Sequence, residues 1–413
     1  MNNELLKKYS ELVVRIGINV QKGQKIVINC PVECADFARL MVTAAYDAGA
    51  SDVFLNWRDD YISRERWLKA DESVFDNVYP WDSDKRLTLA EEGAGFISVS
   101  ASNPENLRGV DRKRLEASEA AASKDEKLKR ARQLLMNNSC PWTVVSVPIP
   151  SWAKKVFPND NEDIAMEKLW AAIYNAVRIK EDEDPVRAWE KHCNELEKHA
   201  SELTSYQFKC VRYKNSLGTD LTVELPSDHL WIAGGDTAKS GVRFVANMPT
   251  EEVFCAPKKD GVNGVLYSSK PLTLYGNVIE GIRLEFKDGR ITDVQADKGK
   301  DILESAINTD EGSHYLGEIA LVPYDSPISN SGILFYNTLF DENASCHFAF
   351  GEAYSTCIKG GENKTVDELK KCGINAESAM HVDFMVGTSD LSIIGETHDG
   401  REIEIFRDGN FCI

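Results

Sequence analysis

Several things that would narrow the function at once are missing from this chain of 413 residues. It has no basic footprint: 48 Lys and Arg stand against 66 Asp and Glu, a net charge of -18. Such a surface repels phosphate backbones, so no nucleic-acid partner is expected. No apolar run approaches the roughly 18 residues of a membrane span, so no membrane partner is expected either. The ten cysteines are scattered, and no pair shows C-x-x-C spacing. That excludes the common zinc-finger and thiol-redox patterns and points to reduced thiols in a cytoplasmic protein. The start, Met1 to Tyr9, is polar and amphipathic, without the apolar core of a signal peptide. No G-x-G-x-x-G and no G-x-x-x-x-G-K-[ST] follows a strand-like run. The turn after the first such run, Asn29 to Glu33, has no glycine, so a nucleotide cofactor is not expected. Internal repeats and low-complexity linkers are also absent.

What is present begins with alternation of helix-like and strand-like runs. Residues 1–22 place Leu5, Leu6, Tyr9, Leu12, Val13 and Ile16 at helical spacing. Strands are expected at 24–29, 52–57, 95–100 and 142–147. Helices are expected at 34–47 and 64–78, and one long helix at 112–136. This order predicts an N-terminal parallel-sheet α/β domain. Two charged helices follow at 161–179 and 184–203, with Pro185 as a start signal. The texture then changes. All eight tryptophans lie at or before Trp231, and short alternating runs take over from Phe208. Asp288-Gly289, Asp399-Gly400 and Asp408-Gly409 read as hairpin turns. The expected architecture is therefore an α/β N-terminal domain over 1–205 and a mixed, largely antiparallel α+β domain over 206–413.

The chemistry-bearing residues concentrate in the second half. Glu251 and Glu252 follow Pro249, Glu318 interrupts an apolar strand, and His381 and Asp383 lie two apart in another. The stretch Phe340 to Tyr354 carries Asp341, Glu342, His347, Glu352 and Tyr354 among small and apolar residues. Read as a helix over 344–355, it puts His347 and Tyr354 on one face, two turns apart. Each feature alone has a plainer reading: a solvated Glu-Glu turn, or a hydrogen-bonded core histidine. Glu318 is the hardest to dismiss, because a carboxylate in an apolar run is rarely buried unless paired or metal-bound. Taken together, four carboxylates and two histidines are costly to bury separately. Around two divalent cations they neutralise one another, with one carboxylate expected to bridge. One histidine per metal in a carboxylate-rich site suits Zn²⁺, Co²⁺ or Mn²⁺. His192 and His199, seven apart on a charged helix, read as a solvated face, and His229, His314 and His398 as turn residues.

At these residues the sequence resembles the metallo-aminopeptidase family that includes aminopeptidase T and aminopeptidase S. The likeness runs through Asn247 to Phe254, Gly317-Glu318, Phe340 to His347 with Gly351 and Tyr354, His381-Val-Asp383 and Asp399-Gly-Arg401. It covers essentially the whole chain. The resemblance implies Glu252, Glu318, Glu342, His347, His381 and Asp383 as ligands of two metals, with Glu318 bridging and Tyr354 catalytic. It also implies cobalt or zinc dependence and a homodimer that encloses its active sites.

The expected reaction is hydrolysis of the N-terminal residue from a peptide substrate by metal-activated water. Coordination lowers the pKa of bound water to about 7 in well-studied zinc sites. Glu251, beside a ligand, is the candidate general base by analogy with other two-metal peptidases. Tyr354 is the candidate donor to the developing oxyanion. Two other readings compete: a two-metal hydrolase of another amide or ester bond, and a non-catalytic metal-binding scaffold. Phosphoester chemistry is disfavoured because Lys258-Lys259 is the one cationic pair near these motifs.

Overall fold

A computed structural model describes residues 3–413. Two compact units emerge, Met1–Glu190 with Gly235–Pro249, and Lys191–Gly234 with Thr250–Ile413. Residues 191–205 thus lie with the later unit and residues 235–249 with the earlier one. No helix among the described residues is long and apolar enough to cross a membrane. All ten cysteines are free thiols.

The first unit is built on a parallel sheet. Its strands β1 (Lys25–Pro31), β2 (Asp52–Arg58), β3 (Gly95–Val99) and β4 (Trp142–Val145) pair in the order β4-β3-β1-β2. A two-residue strand, Asn247–Met248, adds in parallel beside β4. The near-continuous apolar run Ile26, Val27 and Ile28 is buried, as expected for a strand covered on both faces. Helices Ala35–Asp47 and Pro80–Glu91 and their neighbours connect the strands. The first helix is shorter than the sequence suggests: Asn3–Leu12, then a wider turn over Val13–Gly17. Met1 and Asn2 of the expected helix lie outside the described residues. The helix expected over 112–136 is two, Arg112–Lys124 and Glu126–Met136. The break has a local cause. Asp125 adopts extended backbone, and its carboxylate accepts the N–H groups of Lys127 and Leu128, capping a new helix.

The second unit packs two antiparallel sheets on one core. The larger runs through eight strands, with Asp220–Glu224 and Phe208–Lys214 at its centre and Ser392–Thr397 next to the latter. Asp288-Gly289, Asp399-Gly400 and Asp408-Gly409 each join neighbouring strands of this sheet. At the first and third, both residues have positive φ, as a tight hairpin turn demands. The smaller sheet contains β5 (Val253–Cys255), β6 (Leu316–Leu321), β7 (His347–Gly351) and β8 (His381–Met385), in the order β8-β7-β6-β5, with Ile232–Ala233 beyond β5. Ile319, Phe348, Phe350, Val382 and Phe384 join the core shared with the larger sheet. Phe348 meets Tyr213 of that sheet edge-on at 5.0 Å.

Candidate metal centre and active site

The strand register decides which side chains meet. Glu318 of β6 lies opposite Ala349 of β7, and Ala349 lies opposite Asp383 of β8. One step along, His347 lies opposite Ala320 and Met385, and Gly351 opposite His381. Side chains alternate across a strand, so Glu318, His347, His381 and Asp383 share one face while the phenylalanines take the other. Ala320, Ala349 and Gly351 sit among them and leave the space between the charged groups open. This corrects the helical reading of the Phe340–Tyr354 stretch. Only Thr338–Asp341 and the turn Glu342–Ala344 are helical there, and His347–Gly351 is a strand buried on both faces. His347 and Tyr354 therefore do not share a helix face. Gly317 is the extra residue at a bulge between Leu316 and Glu318. A Cβ there would collide with the backbone oxygens of Gly351 and Glu352, so the close approach of β6 and β7 needs glycine.

The ligand-type atoms fall into two groups with one shared member. Glu252, Glu318 and His347 form one, and Glu318, His381 and Asp383 the other, each group's atoms within 4.8 Å of one another. His347 Nε2 lies 3.0 Å from Glu252 Oε2 and 3.5 Å from Glu318 Oε1. His381 Nε2 lies 3.7 Å from Glu318 Oε2 and 3.5 Å from Asp383 Oδ1. The other ring nitrogens are committed to the main chain: His347 Nδ1 to Ser345 O at 3.1 Å, His381 Nδ1 to Glu352 O at 2.7 Å. With Nδ1 of both rings committed to the main chain, Nε2 is the atom turned toward the carboxylates and the one a metal would take. Glu342 is buried near the same charges but belongs to neither group.

The electrostatics are those of an acidic cluster short of positive charge. Burial pushes the Glu318 carboxyl above its ordinary value, against the pull of His347. Burial, then the charges of Asp383 and Glu252, pushes Glu342 well above. Burial opposes charge on His347, yet Glu252 and Glu318 outweigh it and hold that histidine well above the usual value. Burial likewise opposes charge on His381, but Asp383 and Glu318 raise it to about 10. Asp383 ends below its ordinary value, because His381 and His347 outweigh its burial. Asp383 Oδ1 is buried and makes no well-formed hydrogen bond, facing only His381 Nε2 at the long distance of 3.5 Å. An unsatisfied buried carboxylate oxygen is expensive, and a divalent cation would satisfy it. The donor set, imidazole nitrogens with carboxylate oxygens, fits such an ion.

Three further residues complete the site. Tyr354 is half-buried and meets His381 edge-on at 5.2 Å and Phe254 at 5.8 Å. Burial and the surrounding carboxylates hold its phenol well above the ordinary value, so it stays a hydrogen-bond donor. Glu251 is buried rather than solvated. Its neighbour is His192, whose Nε2 lies 3.7 Å from Glu251 Oε2 and 2.7 Å from Thr250 O. The solvated reading of His192 is thus overturned, because its helix, Pro185–Tyr206, turns this residue inward. His199, two turns further along the same helix, stacks on Phe411 at 4.4 Å, and His229 is buried with Nδ1 against Pro226 O.

Residues of the Phe340–Tyr354 stretch without an evident role in the sequence also find one. Asp341 accepts the N–H groups of Phe335 and Asn337, and burial lifts its carboxyl to about 7. Cys346 bonds Val322 O, and Glu352 lends its carbonyl to His381.

Comparison with known proteins adds the family. The family described as thermophilic metalloprotease (M29) matches residues 2–411. The chain is 48% identical over 410 residues to aminopeptidase AmpS of Bacillus subtilis (strain 168), covering 99% of each chain. It is 38% identical over 412 residues to aminopeptidase T of Thermus aquaticus, again covering 99% of each. Among solved structures, wild-type AmpT from Thermus thermophilus matches all of both chains, with a TM-score of 0.92 at 36% identity.

Proposed function

This chain belongs to the thermophilic metalloprotease (M29) family and is a metallo-aminopeptidase, and we propose that it releases N-terminal residues from peptides at a centre for two divalent metals. Glu252, Glu318, Glu342, His347, His381 and Asp383 would hold the ions, with Zn²⁺, Co²⁺ or Mn²⁺ suited to these donors. The observation that carries the reading is Glu318, whose two oxygens face different histidines at 3.5 and 3.7 Å. A carboxylate so placed suits a bridge between two ions.

When bound, such ions polarise a carbonyl and lower the pKa of water to about 7. The remaining work falls to this chain's own groups. Glu251 takes a proton from the attacking water as its oxygen bonds to the scissile carbonyl carbon, then returns it to the amine as the C–N bond breaks. Tyr354 donates a hydrogen bond to the carbonyl oxygen as negative charge builds there. The main-chain bonds of His347 and His381 fix both rings against rotation. In this reading residues 206–413 form the catalytic, metal-binding domain, and the active protein is a homodimer, which light scattering checks.

A panel of matched free and N-acetylated peptides tests the reading. The free peptides are cleaved at their first bond and the blocked ones are not. Chelation removes the activity, and metal restores it. Equal cleavage of blocked peptides would contradict the exopeptidase assignment.

A further inference from the structure

Two buried side chains grip one peptide unit from opposite sides. The peptide joining Thr250 to Glu251 presents its carbonyl to His192, which donates from Nε2 at 2.7 Å. The same peptide presents its N–H to Asn343, whose Oδ1 accepts at 2.7 Å. His192 is 8% exposed and Asn343 fully buried, so neither bond competes with bulk water. Asn343 is itself fixed: its Nδ2 donates to Leu339 O at 2.9 Å and approaches Glu342 Oε1 at 3.5 Å. Both grips come from distant parts of the chain, one from helix Pro185–Tyr206 and one from the turn before β7.

The consequence falls on the two carboxylates that follow. Glu251 and Glu252 are adjacent and both buried, yet they go to different places. Glu252 Oε2 reaches His347 Nε2 at 3.0 Å, while Glu251 Oε2 lies 3.7 Å from His192 Nε2. A peptide plane held at both its carbonyl and its N–H cannot rotate, which fixes φ of Glu251 and so the direction in which its side chain leaves the backbone.

We propose that His192 and Asn343 are positioning residues. By clamping the Thr250–Glu251 peptide they keep Glu251 out of the ligand cluster and aimed for proton transfer, an inference that rests on Glu251 being the general base. His192 does not touch substrate; it acts through Glu251. A displacement of about 1 Å at a catalytic group costs about 100-fold in rate, so a loosened clamp is felt in turnover.

The test compares His192→Gln with His192→Met, two chains of similar length of which only Gln offers an N–H near the Nε2 position. Each is combined with Glu251→Gln in a double-mutant cycle. His192→Met lowers kcat about 100-fold with KM and metal content unchanged. His192→Gln recovers most of that loss. In the Glu251→Gln background, His192→Met produces no further loss, because the two act as one unit. Undiminished kcat in His192→Met, or a loss that multiplies with Glu251→Gln, would overturn the proposal. Loss of fold in either variant would also overturn it, in favour of a purely structural role. Full turnover in Glu251→Gln alone would instead refute the general-base reading, so the two failures are distinguishable.

Discussion

The parallel sheet of the first unit and the small antiparallel sheet of the second both bury their strands, yet they treat polar groups differently. Across β1–β3 neutral side chains meet one another, and the cations Lys85 and Arg58 are spent on Asn56 and the carbonyl of Val99. Asn56 donates to Asn29 at 3.0 Å, and Asn29 approaches Ser98 at 3.4 Å. Where this sheet leaves buried atoms without partners, they are neutral too: Trp142 Nε1 and Thr143 Oγ1. The β6–β8 face instead collects Glu318, His347, His381 and Asp383, and its buried atom without a well-formed hydrogen bond is a carboxylate oxygen. A neutral orphan costs about 1–3 kcal/mol, and a charged one more. The first sheet needs no added charge to balance its buried polar groups. The second carries an excess of buried carboxylate that a divalent cation would offset.

Substitutions on the two sheets should therefore fail in different ways. The largest effect is expected from Glu318→Ala. It removes the shared carboxylate and lowers kcat/KM by about 1,000-fold or more, the scale of several kcal/mol of lost charge stabilisation. Steady-state kinetics on a short free-amino peptide measures this; retention of most activity would remove the shared-ligand role. Glu251→Gln comes next, with kcat falling roughly 100- to 10,000-fold while metal content stays intact. Tyr354→Phe follows, with kcat down roughly 100-fold and both KM and metal content little changed. An unaltered kcat would leave Tyr354 a packing partner of His381 and nothing more. The smallest effect on turnover belongs to the other sheet. Ile28→Ala in β1 empties a fully buried position and destabilises its unit by about 2–5 kcal/mol, read by denaturant unfolding. The folded fraction keeps its kcat. A large drop there would mean that the scaffold and the site are not separable in this way.

Much of this contrast was legible in the sequence because it rests on local pattern. Alternating runs marked the parallel sheet, Asp-Gly pairs marked three hairpins, and the two-residue spacing of His381 and Asp383 placed them on one strand face. The Phe340–Tyr354 stretch reads as helical in sequence for a physical reason. His347–Gly351 is buried on both faces, so its alternation of phenylalanine with small residues carries no polar signal to fix the period. The break at Asp125 turns on a single side chain capping two N–H groups, which periodicity does not register. His192 looks solvated in sequence because its partners, Thr250 and Glu251, lie 58 residues or more away. No local spacing announces such a contact. Asn343, between Glu342 and the β7 strand, carries no signal in sequence because an asparagine offers no chemistry until its partners are known.

The central claim is that Glu318 joins two metal ions into one centre. Metal titration followed by elemental analysis, on the wild-type chain and on Glu318→Gln, tests it most directly. Two ions per wild-type chain are expected at saturation, with activity reaching its maximum only at the second, and fewer than two in Glu318→Gln. Full activity at one ion per wild-type chain, or two firmly held ions in Glu318→Gln, would contradict it.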